Sequence, residues 1–376
     1  MGNVGKSAAP MAGDTARLPC LDALKAVACL LIVLHHMAVY GPLSEIAYPT
    51  VSSLADALYQ YGRMAVQAFL VIAGFLSAKN LAPFGVPQVA DPLHAIKRRY
   101  DRLIMPYLAA LTLAVASAGL ARGWLERDYI PGAPDIPQLL AHALLLHDLL
   151  DQEALSAGVW YVAIDFQLFA LTAVLLWLSR RAASRDATLP ALAAPFLMAC
   201  LTVASLFVFN RNPYWDESAL YFFGAYGLGA LSYWAAIRPR GALLLLLLGA
   251  LVVVALLVEF RARIAVAGAV MLLLGFARRY AARESRPRLA YLTYLGRISY
   301  SVFLVHFPLI LLVNAVFFHF LPHQPSVRLA GLVLALGVSI WGGAVFYRWI
   351  ESRRHTPRTR WPIVAGFMAS SLFSSL

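Results

Sequence analysis

Ten long apolar stretches, each close to 20 residues, recur along this 376-residue chain. A helix needs about 20 predominantly apolar residues to cross the hydrocarbon core of a bilayer. Apolar residues make up 61% of the chain and charged residues 13%, whereas a soluble domain has roughly 45–50% and about 25%. We therefore predict an all-α, polytopic membrane helix bundle. The expected spans centre on residues 22–39, 64–81, 103–121, 160–179, 189–209, 219–237, 241–258, 263–277, 297–317 and 329–349.

The basic residues predict the orientation of the bundle. With a cytoplasmic N-terminus, 24 of the 31 Lys and Arg residues fall on the cytoplasmic side, as the positive-inside rule requires. The same distribution accounts for the net charge of +12, so we expect the lipid bilayer and not a nucleic acid as the partner. The expected location is the bacterial cytoplasmic membrane, and the oligomeric state is left open.

The chain divides into three segments. Residues 1–17 form a cytoplasmic tail that lacks the apolar core of a secretory signal. Residues 18–352 form one membrane domain, whose longest outer loop, Arg122 to Gly158, contains a helix-like stretch from Pro137 to Leu150. Residues 353–376 are a basic C-terminal segment. Trp361 to Leu376 would make a helix only about 24 Å long, so an eleventh span is left open.

The first apolar helix carries ionisable residues at both ends. Its sequence from Leu21 to His36 is LDALKAVACLLIVLHH, and ionisable residues inside a membrane are costly and mark functional sites by default. Lys25 and His36 lie about three helical turns and some 16 Å apart, within roughly 20° of the same face. Lys25 would attract an anion and His36 would handle a proton. Alternatively, Lys25 snorkels to the interface and His35 or His36 bonds a neighbouring helix.

A second cationic cluster, KRRYDRLIMPYL, directly precedes the third span. Arg99 and Arg102 are three residues apart and share one helical face, which suits bidentate capture of phosphates. The competing interpretation is that these residues only mark the cytoplasmic side of the membrane.

Polar residues also interrupt later spans. Asp165 lies inside the fourth span, where a carboxylate is either paired or functional. Ser299 and His306 lie in the ninth span, about two turns apart on one side of the helix. Glu351, at the end of the tenth span, lies among arginines and is expected to form an interfacial ion pair.

The three cysteines, Cys20, Cys29 and Cys200, are scattered and show no metal-binding spacing, and the histidines form no zinc pattern. We interpret the cysteines as packing residues. No metal and no permanently bound cofactor are expected.

Six motifs, in order along residues 21–351, resemble those of the acyltransferase-3 family of integral membrane acyltransferases. LDALKAVACLLIVLHH resembles the family's LDxLRGxAxxxVxxxH, and YGRMAVQAFLVIAGFL resembles GxxGVxxFFVLSGFL. KRRYDRLIMPYL is similar to RRxxRLxPxY, and VWYVAIDFQLF to WSLxxExxFY. LGRISYSVFLVHFPL is similar to LGxISYSxYLxHxP, and FYRWIES to FRxxExP.

The resemblance implies that the chain transfers an acyl group, most often acetyl from cytoplasmic acetyl-CoA as co-substrate. The acceptor would be a hydroxyl of a cell-surface polysaccharide, a lipid-linked sugar or a related glycoside. Lys25 and His36 match the family's paired Arg and His, and Arg99 with Arg102 match its RxxR element. The chain departs from the pattern where Lys25-Ala26 replaces Arg-Gly, Ala73 replaces Ser, and Asp165 replaces Glu.

These residues define a hypothetical mechanism. Arg98, Arg99 and Arg102 would hold the phosphates of coenzyme A, and Lys25 would guide the anion. His36 would act as general base on the acceptor hydroxyl, with Asp165 orienting a partner or the histidine. An acyl-histidine relay is the rival chemistry. The further candidate residues are His35, Trp160, Arg297, Ser299, Tyr300 and His306.

Two other classes of function compete with this hypothesis. A transporter would use His36, Asp165 and His306 as a proton relay, but it predicts matching repeats in the two halves, and none is seen. A structural partner in a polysaccharide assembly would need no ionisable groups in its core, so it accounts least well for His36.

Overall fold

The fold is given by a computed structural model that describes residues 19–182, 190–280, 290–353 and 355–373. Within these ranges the regular structure is helical and no strand occurs. The expected N-terminal tail, residues 1–17, lies outside the described residues. The α-helices are α1 (Pro19–Val39), α2 (Pro42–Tyr61), α3 (Val66–Leu81), α4 (Pro92–Ala121), α5 (Ile136–Ala143), α6 (Trp160–Ala182), α7 (Pro190–Phe207), α8 (Ala219–Ala236), α9 (Gly241–Val258), α10 (Ala262–Tyr280), α11 (Ala290–Phe320), α12 (Pro325–Phe346) and α13 (Pro357–Phe373).

All ten expected spans lie in helices, and eight segments of the described chain are long and apolar enough to cross a membrane. The chain is therefore a multi-pass membrane protein. The segments are Cys20–Val39, Pro42–Leu81, Pro92–Ala121, Trp160–Ala182, Ala193–Arg211, Gly241–Val258, Ala290–Phe320 and Pro325–Glu351. The expected spans at α8 and α10 are not among these eight, so the count of ten and the cytoplasmic N-terminus stay predictions.

Helix α8 shows why composition alone is a weak guide for an enclosed helix. All of its residues except Leu220 are buried, and it packs against α3, α7 and α10. A helix that is surrounded by other helices has no need of the strongly apolar surface that lipid requires. Helix α9 is the opposite case, because most of its leucine and valine side chains are exposed or half-buried.

The bundle has two ends, which we name by their charge and position. The end at which α1, α4 and α11 begin carries Lys25, Arg102 and Arg297 and is called the basic face. The opposite end, at which α3, α6 and α8 begin, is called the distal face. Helix α13 starts near Asp101, where Arg360 lies 3.3 Å from the carboxylate, and also contacts α5. It therefore has the direction of a crossing helix, which favours the eleventh span that the sequence leaves open.

Helix α2 fills the connection between the first two expected spans, which the apolar pattern leaves unassigned. Pro42 begins the helix, where a missing amide hydrogen costs nothing, and the chain kinks at Val51, two residues after Pro49. Both ends of α2 lie at the distal face, because Gly41 adjoins Asn314 and Gly62 adjoins His35. Helix α2 thus lies along that face, packed on α1 and α12.

Two motif glycines allow helices to approach closely. A Cβ atom at Gly296 of α11 would lie 1.9 Å from the carbonyl oxygen of Asp22 in α1, and one at Gly74 of α3 would lie 1.8 Å from that of Tyr226 in α8. Small residues permit such backbone contacts between membrane helices. The contact at Gly296 holds α1 against α11, so that Lys25 and Arg297 enter the same region of the bundle.

The distal segment, which connects α4 to α6, contains less helix than the sequence predicts. The stretch predicted from Pro137 to Leu150 folds as α5, which ends at Ala143, followed by a single 3₁₀ turn at Asp148–Leu150. His142 joins the segment to α4, because its Nδ1 lies 2.9 Å from the hydroxyl of Tyr107. The imidazole of His147 stacks on that of His142 with ring centroids 4.0 Å apart.

We expect the substitution Gly296→Ala to lower the thermal unfolding midpoint of the detergent-purified protein. The new methyl group would overlap the backbone of α1, and overpacking of this kind costs about 1–3 kcal/mol. Gly337→Ala is the matched control, because no atom lies within 4 Å of a Cβ atom at that position and alanine favours a helix over glycine. Equal midpoints for the two variants would contradict the packing role of Gly296.

The distal segment should lose stability in acid. Burial lowers the pKa of His142 to about 4 and, together with the charge of His142, lowers the pKa of His147 to about 3. Below the ordinary histidine pKa of about 6.5, the opened segment binds protons that the folded segment does not, so stability falls as the pH drops from about 6.5 towards 4. Burial, followed by the charge of Glu217, raises the pKa of Asp148 to about 6. Protonation of Asp148 therefore stabilises the folded segment in acid, but this single group opposes two histidines.

Hydrogen-exchange protection of residues 136–158, corrected for the intrinsic rate at each pH, measures this loss. In His147→Phe, which keeps an aromatic ring on His142, the decline in protection should be smaller. His94→Gln alters an exposed histidine and should leave the decline unchanged. Protection that does not change between pH 7 and pH 4.5 would contradict the prediction.

Candidate active site

Five helices and the turn after α12 surround one cavity that opens towards the basic face. It has a volume of about 340 Å³, and each of the six sequence motifs contributes to its wall. The residues that line it are Lys25, Phe69, Ile72, Ala73, Leu76, Ser77, Asn80, Arg99, Arg102, Leu103, Tyr161, Val162, Asp165, Phe169, Gly296, Arg297, Ser299, Tyr300, Phe303 and Glu351. We call this the basic cavity, because four cations and only two carboxylates lie in its wall.

One of the cations is already paired. The guanidinium of Arg99 donates a hydrogen bond to Asp165 of α6 and forms an ion pair with it, and it lies 5.4 Å from the ring centroid of Phe169. Asp165 is buried. The structure thus gives Asp165 a partner within the membrane, and that partner is Arg99 and not His36. Arg99 is consequently less available for an external phosphate than its motif predicts.

Other cations of the basic cavity remain open to an anion. Arg102 and Arg297 are exposed, and neither forms a hydrogen bond or an ion pair with a described residue. Lys25 and Arg102 both interact electrostatically with Glu351. Glu351 lines the cavity and accepts a hydrogen bond of 2.5 Å from Ser301. The expected interfacial ion pair does not form with Arg348 or Arg353, the nearest arginines among the described residues.

The remaining candidates near the basic face have more limited roles. Ser299 donates a hydrogen bond to the Gly296 carbonyl at 3.0 Å, and the hydroxyl of Tyr300 lies 3.4 Å from the Leu103 carbonyl. Arg98 does not line the basic cavity. It borders a neighbouring cleft of about 300 Å³, which shares Asn80 with the cavity.

Three aromatic rings close the inner end of the basic cavity. The rings of Phe69, Tyr161 and Phe303 come from α3, α6 and α11, and all three line the cavity. The ring centroid of Phe303 lies 5.5 Å from that of Tyr161 and 6.3 Å from that of Phe69. Phe303 also faces His306, with centroids 6.0 Å apart. We call these three rings the aromatic layer; it stands between the basic cavity and the histidines.

His36 and His306 form a stacked, hydrogen-bonded pair beyond the aromatic layer. Nδ1 of His36 lies 2.7 Å from Nε2 of His306, and Nδ1 of His306 lies 2.7 Å from the Phe303 carbonyl. A carbonyl only accepts, so Nδ1 of His306 carries a proton, and in neutral rings its Nε2 must accept from Nδ1 of His36. This chain of hydrogen bonds leaves a lone pair on Nε2 of His36.

His35 is held in a different way from its neighbour. Its Nδ1 lies 2.9 Å from the Leu58 carbonyl near the end of α2, so it donates its proton there and joins α1 to α2. Neither ring lines the basic cavity. The two adjacent histidines therefore differ in their partners: His35 is bonded to the backbone of α2, and His36 is bonded to His306 beside the aromatic layer.

The residues that line the basic cavity come from six segments that resemble one family. The acyltransferase-3 family, described as an acyltransferase domain, matches residues 18–348. The chain belongs to that family, and this supports a membrane acyltransferase activity. No curated protein and no solved structure matches the chain significantly. Among the described residues, no group of three or more His, Cys, Asp and Glu side chains could hold a metal ion.

The structure adds site residues that sequence reasoning did not select. Phe69 stands at a Phe position of the second motif, which is a usable signal, whereas Tyr161 looks like an ordinary residue of a membrane helix. The sequence predicts an interfacial ion pair for Glu351, although its place in the last motif is also a usable signal. His306 is among the candidates that the sequence predicts. Its direct bond to His36 joins positions 270 residues apart, so the spacing of residues within the motifs does not indicate it.

Proposed function

We propose that the protein transfers an acetyl group from cytoplasmic acetyl-CoA to a hydroxyl of a cell-surface polysaccharide, a lipid-linked sugar or a related glycoside. The proposed location is the bacterial cytoplasmic membrane, with the basic face towards the cytoplasm. The observation that carries the proposal is the order of the site: an anion-attracting cavity, then the aromatic layer, then a histidine with an unprotonated ring nitrogen.

The basic cavity would hold the charged part of the donor. Coenzyme A carries several phosphate charges, and open cations bind phosphate through charge-assisted hydrogen bonds. Arg102 and Arg297 supply such cations, and Lys25 adds charge near Glu351. Arg99 would act mainly through its ion pair with Asp165, which fixes the wall of the cavity. The pantetheine arm would then extend past the aromatic layer towards His36.

The acyl transfer would take place beside Nε2 of His36. This nitrogen would accept the proton of the acceptor hydroxyl while the hydroxyl oxygen attacks the thioester carbonyl. Collapse of the tetrahedral intermediate breaks the C–S bond, and the departing thiolate takes the proton back from the imidazolium. His306 would act as a positioning residue, because it fixes the His36 tautomer and stabilises the proton on Nδ1.

The transporter alternative fits the geometry less well. A proton relay needs its groups in hydrogen-bonded sequence, but Asp165 is engaged by Arg99. The aromatic layer separates it from His36 and His306. Two polar regions separated by aromatic rings suit two substrates that enter from different sides and react beside His36.

His36→Ala should lower acetyl transfer by about 10²- to 10⁴-fold, the usual contribution of a general base. The measurement is transfer of labelled acetyl from acetyl-CoA to a candidate glycan by the purified protein in nanodiscs. His35→Ala is the matched control and should retain most of the activity, since its ring only bonds the Leu58 carbonyl. Equal losses in the two variants would contradict the assignment.

The same assay tests the positioning role of His306. His306→Gln keeps an acceptor for Nδ1 of His36, whereas His306→Leu removes it, so the glutamine variant should have the higher kcat. The pH dependence of kcat should also shift in His306→Leu. Accumulation of an acylated His36 after mixing with acetyl-CoA alone would replace the direct transfer with the histidine relay.

Arg102→Ala should weaken the binding of coenzyme A by about 10- to 100-fold, because a hydrogen bond to a charged group contributes about 1.5–3 kcal/mol. Calorimetry on the protein in nanodiscs measures the Kd. Lys97→Ala removes the same charge from the same helix at a position that is paired with Asp101, and it should leave the Kd nearly unchanged. A similar Kd for Arg102→Ala and wild type would exclude Arg102 from the donor site.

A further inference from the structure

A second and larger cavity lies on the distal face, where the proposed donor site does not reach. Its volume is about 680 Å³, which is in the range of small-molecule sites. Its wall combines aromatic rings, an amide, three carboxylates and three arginines from four separate parts of the chain. The residues used below are Gln67, Asp148, Trp160, Asp216, Glu217 and Tyr221. We call this the distal cavity.

One wall of the distal cavity is close in sequence to a loop that contacts His36. A Cβ atom at Gly158 would lie 3.3 Å from Cε1 of His36, so the loop before α6 lies against the imidazole. Trp160, two residues further on, lines the distal cavity, and two residues span at most about 8 Å. Cε1 is bonded to both ring nitrogens, and Nδ1 is engaged with His306, so Nε2 is the nitrogen beside this loop that keeps a lone pair. The loop therefore connects the wall of the distal cavity to the imidazole of His36.

Gln67 shows that the distal cavity is built for a polar ligand. Only 8% of its surface is exposed, it lines the cavity, and no described residue forms a hydrogen bond with its amide. Its amide atoms are not fully enclosed, so a group inside the cavity can reach them. An amide both donates and accepts, so a hydroxyl group satisfies it in either direction.

The other polar groups require hydrogen-bond donors. Asp148 has a buried Oδ2 atom without a hydrogen bond, which lies 3.5 Å from Nε2 of His147. Asp216 and Glu217 are exposed at the rim. Ionised carboxylates only accept hydrogen bonds, and they repel phosphates and other anions. Three arginines also line the cavity. Arg261 pairs with Glu259 at 2.5 Å and Arg263 lies 4.7 Å over the ring of Tyr221, whereas Arg63 is exposed.

Aromatic rings supply the apolar part of the wall. The indole of Trp160 lies 5.5 Å from the ring of Phe222, and Tyr221 completes this side. A sugar ring has apolar C–H faces and a rim of hydroxyl donors, so it matches aromatic rings and carboxylates at the same time. We propose that the distal cavity binds an uncharged sugar ring of the acceptor and presents one hydroxyl to Nε2 of His36; this rests on the proposed acyl transfer.

Saturation-transfer NMR on the full-length protein in nanodiscs tests the assignment with uncharged methyl glycosides of glucose, galactose, mannose and N-acetylglucosamine. We expect at least one glycoside to bind. Gln67→Leu and Asp148→Asn should each weaken its binding by about tenfold, the effect of losing a hydrogen bond in a buried site. Asp128→Asn, an exposed carboxylate of the same distal segment outside the cavity, should bind as wild type does.

Coenzyme A binding, measured on the same samples, separates this inference from the proposed function. Unchanged coenzyme A binding in both cavity variants, with weakened glycoside binding, supports a separate acceptor site. If no uncharged glycoside binds, or if the variants bind it as wild type does, the acceptor site is wrong while the donor site stands. Preference for a glucose phosphate over the methyl glycosides would also overturn it.

Discussion

The ion pair between Arg99 and Asp165 is the interaction on which the arrangement of the site depends. It joins α4 to α6 inside an apolar bundle, where either charge alone would be strongly unfavourable. Removal of one partner from a buried pair costs about 3–5 kcal/mol, although the intact pair adds little net stability. The pair therefore specifies how the two helices meet. Once it forms, Arg102 lies one turn along α4 with its guanidinium free for an external anion.

The aromatic layer gives the polar regions their separate characters. The rings of Phe69, Tyr161 and Phe303 place apolar surface between the basic cavity and His36, so in the proposed reaction the thioester would lie against apolar groups on that side. Exclusion of water protects an activated acyl group from hydrolysis. The Phe303 residue serves both purposes, because its ring belongs to the layer while its carbonyl fixes the tautomer of His306 and, through it, that of His36.

The sequence predicts the helices and the convergence of the motifs better than it predicts the pairings. The apolar stretches locate helices because lipid and length both constrain them. Lys25, Asp165 and Arg297, which the motifs select, line one cavity in the folded chain. Helix α2 is missed because it is amphipathic and lies along one face. Arg98 and Arg99 are adjacent residues of the same type, and the sequence does not distinguish them. Successive residues of a helix point about 100° apart, so the packing of α4 decides which one enters the cavity.

The departures from the family pattern are consistent with this geometry. Asp165 replaces the usual Glu with a stem that is shorter by one methylene, and the long side chain of Arg99 closes the distance while its guanidinium lies over Phe169. Lys25 replaces the usual Arg and loses the planar fork that binds carboxylate or phosphate in two places. A lysine near Glu351 still supplies a mobile point charge. In the proposed donor site, bidentate contacts would then come from Arg102 and Arg297, which line the cavity without a hydrogen bond or ion pair to a described residue.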